Sequence, residues 1–163
     1  MMTKITERIK AVLLTALLTT AATANADVLE SHMSAWLVKQ QENKEVLKPA
    51  GEAGPGDIIE YRMTYKNTQA SPLSALTISV PVPDNTAYVA ASATTPVKSQ
   101  FEASIDGGKT WEHEPIKRLR KTAEGKLRMT DIPVSEYTNI RWLAENPIQP
   151  AEQQAFTYRV QVK

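Results

Sequence analysis

The chain has no cysteine. That excludes disulfide frameworks, thiolate metal centres and thiol nucleophiles together. Histidine is scarce, with only His32 and His113 in 163 residues. Neither sign of charge dominates, since 19 Lys and Arg face 18 Asp and Glu. No overall attraction to nucleic acid or to a membrane surface is therefore built in. The Gly-x-Ser-x-Gly elbow and the His-Glu-x-x-His motif are both missing, and with them the commonest templates for serine and zinc hydrolases. Only one stretch, near the start, is apolar for more than a few residues.

That stretch reads as a secretory leader. Lys4, Arg8 and Lys10 give a positive start, and Ala11 to Ala24 then run without a charge. Ala24-Asn25-Ala26 is the small-x-small pattern that signal peptidase accepts, so cleavage is expected before Asp27. A spanning helix needs about 20 apolar residues, and this run is shorter and ends in Thr and Ala. The expected organisation is a signal peptide over residues 1–26 and a single domain over 27–163. The leader holds three of the basic and one of the acidic residues, leaving the mature part 16 positive and 17 negative. After cleavage no membrane span is expected, and no cysteine is present to carry a lipid. The chain is expected to be exported, to the periplasm, the cell surface or the medium.

Strand-type alternation recurs through the mature part. Ile59, Tyr61, Met63 and Tyr65 share one face, with Glu60, Arg62, Thr64 and Lys66 on the other. Leu76, Ile78, Val80 and Val82 repeat the pattern, as do Phe156, Tyr158, Val160 and Val162. Weaker alternation is present at Trp36 and Val38, Tyr88 and Ala90, Phe101 to Ile105, and Ile140 with Trp142. Ten Pro and six Gly lie mostly between these runs, which punctuates roughly eight short strands. No amphipathic helix of three turns is present, and Gln41 to Lys48 is expected to form one or two helical turns at most. Many short strands without intervening helices predict an all-β antiparallel sandwich.

The segment from Gly56-Asp57 through Tyr61 and Tyr65 to Asn67-Thr68 resembles the opening of the "conserved repeat domain" family, DUF11, of bacterial and archaeal surface proteins. Trp142, Pro150 and the alternating strand Phe156 to Val162 are similar to the family's closing pattern. The resemblance covers about Trp36 to Val162, with an unusual insertion around 97–135. It implies an immunoglobulin-like sandwich without catalytic residues or cofactor.

Two local features suggest chemistry. Ser104-Ile105-Asp106-Gly107-Gly108-Lys109-Thr110-Trp111 fits the Asp-box pattern of sialidase propellers, carried by Ser104, Asp106, Gly108, Thr110 and Trp111. A propeller needs several four-stranded blades, which a domain of this length cannot hold. A single copy is expected to be a hairpin stabiliser, its carboxylate accepting from backbone amides. A small glycosidase fragment is the enzymatic alternative, and no catalytic site can be assembled for it. His113 has Glu112 and Glu114 on the opposite strand face, and Asp57, Asp84, Asp106 and Asp131 sit singly in turns, so no metal site is expected.

The second feature is basic. Lys117, Arg118, Arg120, Lys121, Lys126 and Arg128 face a single nearby acid, Glu124, and Ala123-Glu124-Gly125 reads as a turn. A protruding basic hairpin is predicted, suited to an anionic envelope polymer or an acidic protein. No aromatic residue interleaves these cations, which argues against single-stranded nucleic acid. The expected function is non-catalytic: protein–protein contact, adhesion or scaffolding in the cell envelope, with carbohydrate or anion binding by the basic hairpin as the alternative. The sequence does not specify an oligomeric state.

Overall fold

The computed structural model describes residues 28–163. The expected leader and its cleavage point before Asp27 lie outside the described residues. Ten strands follow in order: β1 (Leu29–Gln41), β2 (Lys44–Pro49), β3 (Ile58–Asn67), β4 (Thr77–Pro81), β5 (Thr86–Tyr88), β6 (Ser99–Ser104), β7 (Lys117–Lys121), β8 (Leu127–Asp131), β9 (Asn139–Ala144) and β10 (Gln153–Val162). The helical content among them is one short 3-10 turn, Val134–Glu136.

Every strand pairing is antiparallel. One sheet has the order β2-β1-β3-β10-β5, a second has β4-β9-β6, and β7 and β8 form a separate two-stranded ribbon. The expected all-β antiparallel sandwich is what the chain forms.

The alternating runs place their apolar faces between the sheets. Met63 of β3, Ile78 and Val80 of β4, Ile140 and Trp142 of β9, and Phe156, Tyr158 and Val160 of β10 are all buried. Trp142 is the junction. Its ring lies 5.6 Å from Phe156, 6.3 Å from Tyr158 and 5.9 Å from Phe101, centroid to centroid. Tyr61 stacks on Tyr158 at 5.1 Å, extending the aromatic layer along the larger sheet. Tyr61 and Tyr65 are half-buried rather than enclosed, because they lie towards the margin of the core.

The structure departs from the sequence reading at two points. Gln41 to Lys48 is not helical; Glu42 and Asn43, at φ 51° and 64°, turn the chain back so that Gln41 pairs with Lys44. Two successive left-handed residues make the primed turn that matches strand twist, and hairpin pairing overrides the local helix preference. Glu60, placed on the wet face, is buried at 4% exposure. Its carboxylate accepts from Arg62 Nε at 2.7 Å and Arg159 Nε at 2.8 Å, while Arg159 also donates to both oxygens of Glu45. A buried charge is tolerable when it is paired and hydrogen-bonded in this way.

Asn67 closes the end of β3. Its side-chain amide donates to the carbonyls of Ser71 and Ile148 and accepts from Gln69 N–H. Truncating the aromatic layer should be costly, since Phe156 is fully enclosed. Phe156→Ala is expected to lower stability by about 3–5 kcal/mol. Denaturant unfolding checks this, and a midpoint equal to wild type would contradict the packing described.

Candidate interaction site on the β7–β8 hairpin

The basic segment folds as the sequence predicts, into a hairpin. Its base is fixed by Ile132 N–H donating to Ile116 C=O at 2.7 Å, with both side chains buried in the core. Its tip closes through Thr122 N–H to Lys126 C=O, with Gly125 at φ 82°. A left-handed residue there costs glycine nothing.

Register decides what each face carries. Leu119 lies opposite Met129, Lys121 opposite Leu127, and Lys117 opposite Asp131. Arg118 lies opposite Thr130 and Arg120 opposite Arg128. Directly opposed side chains share a face. One face is therefore Lys117, Leu119, Lys121, Leu127, Met129 and Asp131, and the other is built of arginines.

The arginine face holds the hairpin to the sandwich. Arg118 grips Glu112 with both terminal nitrogens, and Arg120 donates to both oxygens of Glu136 at 3.0 and 2.6 Å. Forked pairing of this kind fixes orientation as well as charge. Hydrogen bonding from these arginines lowers the pKa of Glu112 and of Glu136. Lys117 lies 3.7 Å from Asp131. The six-cation patch is therefore corrected. Glu112, Asp131 and Glu136 fold onto three of its members, and of the six, Lys121, Lys126 and Arg128 have no ion pair among the described residues.

The opposite face was not anticipated. Leu119, Leu127 and Met129 are 59%, 67% and 58% exposed, three of the five large apolar residues that stand out from the described surface. The signal was present, as apolar residues at alternate positions among the cations. Contiguous apolar surface rimmed by charge marks an interaction site far more often than scattered apolar residues do.

The Asp-box residues form a closed local network. Asp106 accepts from the Ser104 hydroxyl at 2.7 Å, the Lys109 and Thr110 amides at 3.1 and 2.9 Å, and the Thr110 hydroxyl at 2.6 Å. Gly108 N–H donates to Ser104 Oγ at 2.9 Å. A Cβ on Gly108, itself at φ 81°, would meet Trp111 at 3.3 Å, so the indole packs directly against the turn. Arg141 lies 4.5 Å over the Trp111 ring and pairs with Glu102.

His113 Nδ1 donates to Phe101 C=O at 3.2 Å, and the ring approaches Glu102 at 3.8 Å. No group of His, Asp and Glu among the described residues is arranged to hold a metal. Asp57 is engaged by Lys39 and Gly54 N–H. Burial raises the pKa of Glu114, and burial together with the nearby Glu114 charge pushes Tyr137 up to about 12. No family model, curated protein or solved structure matches this chain.

The Thr110 hydroxyl, followed by the Thr110 amide and the Ser104 hydroxyl, holds the Asp106 carboxyl well below the usual carboxylate range. A carboxylate with a depressed folded pKa contributes stability above its unfolded value, near 3.9, and loses it as pH falls through the folded value. Wild type should therefore melt a few degrees above Asp106→Ala at neutral pH. The gap should narrow only below about pH 4. Thermal melts of both proteins across pH check this; a gap that persists unchanged into strong acid would contradict it.

Proposed function

We propose that this chain is an exported, non-catalytic β-sandwich module of the cell envelope that binds another protein through the β7–β8 hairpin. The carrying observation is the exposed face of Leu119, Leu127 and Met129 on a ribbon tied to the sandwich from behind by Arg118 and Arg120. Desolvating those three side chains supplies affinity, and Lys121 on the same face favours a partner with an acidic rim. Export rests on the leader pattern of residues 1–26. Membership of the conserved repeat domain family is part of the same proposal and rests on the resemblance from Gly56 to Thr68 and from Trp142 to Val162.

A second reading is binding to an anionic envelope polymer, favoured by Lys121, Lys126 and Arg128 towards the tip of the ribbon, which have no ion pair among the described residues. Exposed charges are screened over about 8 Å at physiological salt, so that binding would be strongly salt-dependent, whereas apolar contact would not.

The test is a photo-reactive residue placed at Leu127, and separately at exposed Thr77 on β4, in the native host. A discrete protein adduct is expected at Leu127 only, on a chain whose intact mass begins at Asp27. The adduct should survive raised salt and disappear in Leu119→Ser/Met129→Ser. Equal adducts at both positions, or a chain retaining residues 1–26 in the membrane fraction, would overturn the proposal. Salt-sensitive retention on dextran sulfate, lost in Lys121→Glu/Lys126→Glu, would favour the polymer reading instead.

A further inference from the structure

Among the described residues, the first half of β1 is an open sheet edge. On one side β1 pairs with β3 from Leu29 to Val38, but on the other β2 covers only Trp36 to Gln41. Successive residues of a strand direct their backbone N–H and C=O to alternate edges. Val28 C=O accepts from Thr68 N–H on the β3 side, and Ala35 C=O accepts from Ala50 N–H on the β2 side. Leu29, Ser31 and Met33 therefore turn both backbone groups outward. The stretch Leu29 to Ala35 contains neither Pro nor Lys, the residues that commonly blunt such edges. The other edges are less inviting. β5 is three residues long, β4 ends in Pro81, and β6 is bridged by Glu112 at Ala103.

We infer that this edge pairs with β1 of a second copy of the chain, antiparallel about a two-fold axis at Ser31. Side-chain pairing favours this register. Outward-directed residues must oppose one another, so the axis falls on a residue and not between two. An axis at residue 30 would set Glu30 directly against its own copy, and one at residue 32 would set Glu30 against Ser34 and leave it without an imidazole opposite. Like charges placed opposite are destabilising. With the axis at Ser31, each Glu30 lies beside His32 of the second copy, and each Leu29 beside its Met33. Both relations hold in both directions, as a two-fold interface requires.

The faces also agree. Leu29 and Met33 lie opposite Asn67 and Met63 and share the inner face of the sheet, where Met33 is 54% exposed. Glu30 and His32 lie opposite Lys66 and Thr64 on the outer face and are exposed. Length fits as well. Val28 of one copy falls opposite Ser34 of the other, one residue short of Ala35, where Ala50 already donates. Pairing thus has room for the chain to begin at Asp27, the start that the leader pattern predicts. A single strand pair buries little surface, so association should be weak and concentration-dependent.

Sedimentation of the protein beginning at Asp27, from micromolar to millimolar concentration, reads this directly. A monomer–dimer equilibrium is expected. Ser31→Pro removes an outward N–H and leaves the β3 side intact, so it should stay monomeric throughout. Glu30→Lys should weaken dimerisation about tenfold, because it acts at both symmetry-related pairs. Adding His32→Glu should restore it by exchanging the charges. Leu119→Ser/Met129→Ser should leave dimerisation unchanged, which separates this interface from the hairpin. A wild-type monomer at every concentration would overturn the inference, and so would a folded Ser31→Pro that dimerises normally. Should Ser31→Pro fail to fold by circular dichroism, the Glu30→Lys loss and its rescue decide the matter.

Discussion

The contact between Trp142 and Phe156 is the constraint on which the rest of the molecule depends. Trp142 belongs to β9, the centre of the smaller sheet, and Phe156 to β10, in the interior of the larger one. Their rings meet at 5.6 Å with both side chains essentially excluded from water. Large aromatic side chains bury more apolar area than any other residue and so dominate the energetics of a thin core. Tyr61, Phe101 and Tyr158 extend the layer. Once the two sheets are set by it, the strand ends and the turns between them have fixed positions.

The hairpin depends on that frame without belonging to it. Ile116 and Ile132 insert at its root, and Glu112 and Glu136 receive Arg118 and Arg120 from beneath. Exposed ion pairs add little stability singly. Here they aim the ribbon, holding its arginine side inward and presenting Leu119, Leu127 and Met129 to solvent. Placement of an apolar face on a tethered ribbon gives a contact surface at small cost to the core, because none of those three residues is needed inside.

The strands were legible where one face is buried and the other wet. β3, β4 and β10 show period-two alternation over their whole lengths, and their apolar members are the core. Other features arise from residues distant in sequence. Glu60 looked solvated because Arg159, which pairs with it, lies 99 residues further on. The charge of the hairpin looked large because Glu112 and Glu136 fall outside the 117–128 window and reach it only through the fold. Residues 41–48 hold several good helix formers, yet the gain of pairing with β1 outweighs that weak local preference. The Asp-box was legible in full, since Ser104, Asp106, Gly108, Thr110 and Trp111 interact with one another across a few residues.

The central claim is that the sandwich stands without the ribbon and the ribbon exists for contact. Ile116 C=O and Ile132 N–H are joined by a hydrogen bond, so residues 117–131 can be replaced by an Asn-Gly turn without moving either end. Thermal unfolding of that excised protein, beside wild type, is the most direct measurement. The expected result is a cooperative transition within a few degrees of wild type, with the Trp142 fluorescence environment retained. Loss of the cooperative transition would show that the hairpin is part of the core's support and contradict its assignment as a contact element.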